Sequence, residues 1–178
     1  MKYRSIADIY TGNDKIRARL RDAVSRLSEA QASALPEGEK WTVAQIVEHI
    51  AMVDEATAKI CARLLKRAQE AGKISDGMVN ISENFLQKGL EIATMKVEAP
   101  SFVQPSGKQS IQESLEKLGR TSEQVAELRP LFETVHSTEF TFPHPFFGEI
   151  TAHEWLSLKG GHELRHLKQI EKVLGKMG

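Results

Sequence analysis

At 178 residues, 40% of them hydrophobic, the chain can bury one sizeable core and reads as a single domain over 1–178. Lys+Arg and Asp+Glu both number 24, and without a long basic run neither nucleic acid nor an anionic membrane is indicated as partner. No apolar run reaches the roughly 18 residues of a transmembrane span, Asp8 interrupts any signal-peptide core, and the lone cysteine excludes an internal disulfide and any Cys-rich zinc site, so a cytoplasmic location is expected.

The first long helix is expected to start near Asn13, bury Ile16, Leu20, Val24 and Leu27, and end before Pro36-Glu37-Gly38. The second opens on a capping box, with Thr42 as N-cap and Gln45 at N3, between the staple residues Trp41 and Ile46. It is expected to run from about 43 to 70 and stop at Ala71-Gly72. A long connection follows, from about 72 to 109, with a short helix around S-E-N-F-L-Q-K-G-L. The third helix starts at Ser110 with Glu113 at N3, carries Ile111, Leu115, Leu118, Val125 and Leu128, and ends at Pro130. Segment 130–150 is long for a helix–helix turn, and H-P-F-F-G in it reads as a turn whose aromatics cap the bundle end. The fourth helix, about 152 to 175, is capped by Thr151 with Glu154 at N3. No stretch shows sustained strand alternation. The expected fold is therefore all-α, a four-helix bundle with helices 1 and 2 antiparallel and a long crossover that leaves helices 2 and 3 parallel.

Histidines occupy the core stripes. Ile46, His49, Val53, Thr57, Ile60 and Leu64 recur at spacings of three and four on the second helix; Trp155, Leu158, His162, His166, Ile170 and Val173 do so on the fourth. His162 and His166 are one turn apart, so both rings share a face and can converge on one ion. Six histidines in 178 residues give roughly 0.2 such pairs by chance, so the interior placement carries the argument. His49 would complete three neutral nitrogen ligands, leaving positions open for water or substrate as in a catalytic site. The residues alone leave a second reading, three histidines buried in hydrogen bonds with no metal.

W-T-V-A-Q-I-V-E-H-I, then F-F-G-E-I-T-A-H-E-W-L and H-E-L-R-H-L-K-Q-I, resembles the DinB-like (DinB/YfiT) metal-binding bundle family over residues 10 to 175. The resemblance implies an up-down-down-up bundle holding zinc, nickel or iron through His49, His162 and His166. It also implies one of two activities, a metal-dependent hydrolase or a transferase using a low-molecular-weight thiol as co-substrate. The alternative is a non-catalytic metal- or ligand-binding stress-response bundle. The partner expected is a small-molecule substrate, with a homodimer left open.

The remaining candidates are weaker. No general base stands out: Glu48 and Glu163 adjoin ligands but read as solvated or flanking carboxylates. Gln45 reads as a cap that can also orient a ligand, and Arg165 as a surface arginine that can also meet an anionic substrate. Cys61, about 18 Å along the helix from His49, is too far to share the metal. Helices 2 and 4 should be antiparallel, with the pocket at the end holding the helix 1–helix 2 loop. Phe102 and Gln104 are its expected lid. His136, His144 and His153 are placed at the far end, His153 exposed.

Overall fold

Polar N-caps set where six of the seven described helices begin. The computed structural model describes residues 3–95 and 97–177. Its helices are α1 (Ile6–Val24), α2 (Glu29–Ser33), α3 (Val43–Glu70), α4 (Glu83–Thr94), α5 (Ile111–Glu127), α6 (Arg129–Thr134) and α7 (Ala152–Gly175). A 3₁₀ turn, Ser101–Val103, interrupts the crossover, and a hairpin of β1 (Thr141–His144) and β2 (Gly148–Thr151) precedes α7. The capping boxes at Thr42, Ser110 and Thr151 are all formed, each hydroxyl accepting from the N3 backbone N–H. They satisfy donors that the first helical turn would otherwise leave orphaned.

Three expectations need correction. The first helix begins at Ile6, not near Asn13, because Ser5 and Asp8 form a capping box of their own. It ends at Val24, and a second box, Ser28 with Gln31, starts the separate α2 before Pro36. Pro130 does not end a helix but occupies the first turn of α6, where its missing N–H costs nothing. Two short strands do exist, paired antiparallel from Thr141↔Thr151 to His144↔Gly148, with H-P-F-F-G turning between them. The short helix foreseen in the long connection is α4.

The helix directions follow from cross-helix contacts. Cys61 Sγ meets the Ala152 carbonyl oxygen at 3.8 Å, Lys159 pairs with Asp54 at 3.1 Å, and His49 meets His162 at 3.1 Å, so α3 and α7 run antiparallel. Asn13 bonds the Leu156 carbonyl, Arg17 pairs with Glu163 and Arg19 with Glu171, so α1 and α7 run parallel. Tyr10 donates to the Val125 carbonyl and Arg17 to that of Leu118, which sets α5 antiparallel to α1. The order is up-down-down-up.

Two apolar clusters fill the bundle. One gathers Leu64, Phe132, Ile150, Trp155 and Leu156 toward the hairpin end; the other gathers Leu20, Ile46, Leu118, Leu167 and Val173 toward the opposite end. A charged layer is buried as well. Arg17 donates to both oxygens of Glu163 (2.6 and 3.0 Å), to Asp54 (3.0 Å), to Ser122 and to the Leu118 carbonyl. Lys159 adds a second cation on Asp54. Every strong donor of the guanidinium is answered, which is what a buried ion pair requires. Among the described residues no helix is long and apolar enough to cross a membrane.

Candidate metal centre

The first third of α3 and the middle of α7 meet beneath Trp41, and there the three histidines converge. One ring nitrogen from each of His49, His162 and His166 lies within 4.8 Å of the others, and no other such cluster of His, Cys, Asp or Glu occurs among the described residues. Ring centroids are 4.5 Å apart for His162–His166, 4.7 Å for His49–His166 and 5.0 Å for His49–His162. Trp41, the residue before the α3 cap, lies 5.0 Å from the His49 ring and 6.4 Å from that of His166, shielding this side from water.

The outward nitrogens choose the tautomers. His49 Nδ1 is 2.7 Å from the Val103 carbonyl oxygen, an acceptor only, so Nδ1 carries the hydrogen and Nε2 a lone pair. His166 Nδ1 is 2.8 Å from the Gln169 carboxamide oxygen, with the same consequence. His49 Nε2 then faces His162 Nε2 at 3.1 Å, a contact that a hydrogen on His162 or a cation satisfies. A tetrahedral ion with metal–nitrogen bonds of about 2.0–2.1 Å spaces its ligand nitrogens by roughly 3.3 Å. The three rings fit such an ion, and the Nδ1–H acceptors are the outer support that metal-ligating imidazoles ordinarily have.

Electrostatics agrees. Burial lowers His49, opposed only by its bond to Val103. Burial, then the neighbouring charges of His166 and His49, holds His162 well below the usual histidine range. Burial and His49 bring His166 down to about 4. The rings are thus neutral at pH 7, the form that donates a lone pair.

Glu48, Glu163 and Arg165 stand differently from expectation, while Gln45 and Cys61 stand as expected. Glu48 and Glu163 are not solvated; they are 2% and 1% exposed. Glu163 is held by Arg17, and Glu48 accepts from the Ser106 N–H and hydroxyl and from the Gly107 N–H. Arg165 is not a free surface arginine, since it donates to the carbonyls of Ile92 and Met95 at the end of α4. Gln45 keeps its capping role. Cys61 is buried, and burial pushes its thiol up to about 12.

His153 is not exposed. It is 2% accessible, covered by Phe132 of α6 at 5.9 Å between ring centroids and by the loop that donates Asn80 N–H to its Nδ1. His136 bonds Thr138. His144 accepts two backbone N–H groups of the hairpin turn on Nδ1 and lies 5.3 Å from the Trp155 ring, at the hairpin end of the bundle. None of these three joins the cluster.

Sequence reasoning missed Trp41 as a shield, Gln169 and the Val103 carbonyl. Gln169 was findable, lying one turn past His166 on the same helix. The segment around Phe102 and Gln104 was expected over the pocket, but the Val103 carbonyl between them left no signal of its own, because a backbone carbonyl acts there regardless of side chain.

Fold and site together define a four-helix bundle with a three-histidine cluster between two antiparallel helices. The family model described as the DinB superfamily matches residues 13–170, and the chain belongs to that superfamily. YuaE of Bacillus subtilis (strain 168), described as an uncharacterized protein, is 27% identical over 159 residues, covering 85% of this chain and 88% of YuaE. The crystal structure of TT2238, described as a four-helix bundle protein, matches with a TM-score of 0.61 at 23% identity. That match covers 93% of this chain and 96% of that one, a likeness of fold.

Proposed function

We propose that the chain is a metal-dependent enzyme holding one divalent cation, zinc, nickel or iron, on Nε2 of His49, His162 and His166. Its reaction would be hydrolysis or transfer of a low-molecular-weight thiol onto a small molecule. The observation that carries this is the pair of outward Nδ1–H bonds, to Val103 and Gln169, which leave Nε2 lone pairs facing the cluster. Three neutral imidazoles leave a cation's charge uncompensated, so a water or thiol meeting it becomes a stronger acid and a usable nucleophile at neutral pH. Trp41 restricts water on one side, and the segment through Val103 covers another.

The passive reading, a bundle that keeps the ion for stability, draws support from one feature. Both carboxylates that adjoin the ligands in sequence are fully engaged, Glu48 with Ser106 and Gly107, Glu163 with Arg17, so neither is free to act as a general base. The cation itself would then have to generate the nucleophile.

Elemental analysis of purified chain should find close to one equivalent of metal, and His162→Ala should reduce it at least about tenfold. Full retention in both His162→Ala and His166→Ala would remove the site. Turnover of esters or amides without thiol marks a hydrolase, thiol-dependent turnover marks a transferase, and metal content with neither leaves the passive bundle.

A further inference from the structure

A buried carboxylate beside the cluster has no place in that chemistry. Glu48 is 2% exposed, and no salt bridge reaches it among the described residues. Its partners are all in the crossover: Ser106 N–H at 2.9 Å, Ser106 hydroxyl at 2.6 Å and Gly107 N–H at 2.8 Å. Two successive backbone N–H groups and a hydroxyl form a small anion-binding nest. The turn is specific to its residues. Gly107 has φ +72°, a left-handed conformation that side chains disfavour, and a Cβ there would come within 3.1 Å of the Gln45 amide. Ser106 Oγ also accepts the Lys108 N–H at 3.2 Å.

Three residues before Ser106 is Val103, whose carbonyl holds His49 Nδ1. The buried polar ties from the crossover to α3 are thus adjacent on both sides: Glu48 to the nest, His49 to the carbonyl. Three residues span at most about 11 Å, so fixing Ser106 closely limits where the Val103 carbonyl can be. Without that bond, nothing in the ring itself prefers Nδ1–H over Nε2–H strongly, and the wrong tautomer points a hydrogen at the cluster.

We infer that Glu48 is a positioning residue of the histidine site: it latches Ser106 and Gly107 so that the Val103 carbonyl holds His49 with Nε2 presented inward. This rests on the metal reading for its purpose but not for its test. Glu48→Gln puts an N–H donor against one of the nest donors while changing no ligand. In the metal-free full chain, nitrogen NMR of the imidazoles should show His49 as the single Nδ1–H tautomer in the parent and as a mixture in Glu48→Gln. The Ser106 and Gly107 amides should exchange about tenfold faster. Zinc affinity, measured by competition with a chromogenic chelator, should fall about 10- to 100-fold.

A variant that keeps one tautomer, or binds zinc within twofold of the parent, would overturn the latch. If the parent binds no zinc, nickel or iron, the metal reading fails, and the tautomer comparison still decides the role of Glu48. Should Glu48→Gln not fold, Gly107→Ala breaks the turn and leaves the carboxylate in place. It should reproduce the tautomer mixture, and an unchanged His49 in that variant would also overturn the inference.

Discussion

Burial sets the interior histidines and Cys61, whereas Glu55 is tuned by charge neighbours, in a form that can be titrated. It lies on α3, about one-third exposed, 2.5 Å from Lys59 one turn on and 2.5 Å from Lys117 of α5. The Lys117 bond, then that of Lys59, holds its carboxyl at about 2 instead of the usual 4.5. A carboxyl lowered on folding stabilises the native state above its unfolded value and loses that contribution as pH falls through its folded value. The window here runs from about pH 5 down to pH 2. Because the pairs are solvent-screened, the contribution at neutral pH is about 0.2–1 kcal/mol. Glu55→Gln should lower the urea midpoint slightly at pH 7, and the gap to the parent should close as the pH approaches 2. A gap that stays constant across that range would mean the ion pairs carry none of it.

At the scale of elements, α7 is placed by close approach as much as by apolar burial. Gly160 faces Asn13 of α1, where a Cβ would fall well inside contact distance of Asn13 Oδ1 and 3.1 Å from Cγ. Asn13 cannot easily turn aside, since it is 5% exposed and donates Nδ2 to the Leu156 carbonyl at 3.0 Å. Gly160→Ala should therefore destabilise by about 1–3 kcal/mol despite its gain in helix propensity. Equal or greater stability in denaturant would show that the α1–α7 spacing relaxes freely. Helix starts were legible wherever the signal was local: Thr42–Gln45, Ser110–Glu113 and Thr151–Glu154 each place a boundary by themselves. The α1 start was missed because its box closes on an aspartate, Asp8, and Gly12-Asn13 mimics a break. The hairpin escaped because four-residue strands holding Pro143 carry too little alternation. The candidate ligands were legible because an imidazole in an apolar stripe is itself anomalous. The partners of Glu48, Glu163 and His153 were not, since each comes from a segment between 58 and 146 residues away, or 73 for His153.

For the whole molecule, the cluster sits where a bound ion would tie α3 to α7, the two long helices that run antiparallel through the core. A ligand that binds only the folded state stabilises it by about 2.7 kcal/mol at a hundredfold excess over its dissociation constant. For a chain of this size each kcal/mol moves the thermal midpoint by about 2–4 °C, so saturating zinc, nickel or iron should raise Tm by about 5–10 °C. The unfolded chain also offers histidines to metal, which reduces the gain, but only the native state assembles all three, with the tautomers of His49 and His166 set. The shift should disappear with a chelator and in His162→Ala, where α3 and α7 are no longer joined by a complete ligand set. His136→Ala should keep the full shift, because that ring bonds Thr138 outside the cluster. An equal rise in His162→Ala would trace the stabilisation to some other site, and no rise with any of the three metals would leave the three rings as a hydrogen-bonded cluster.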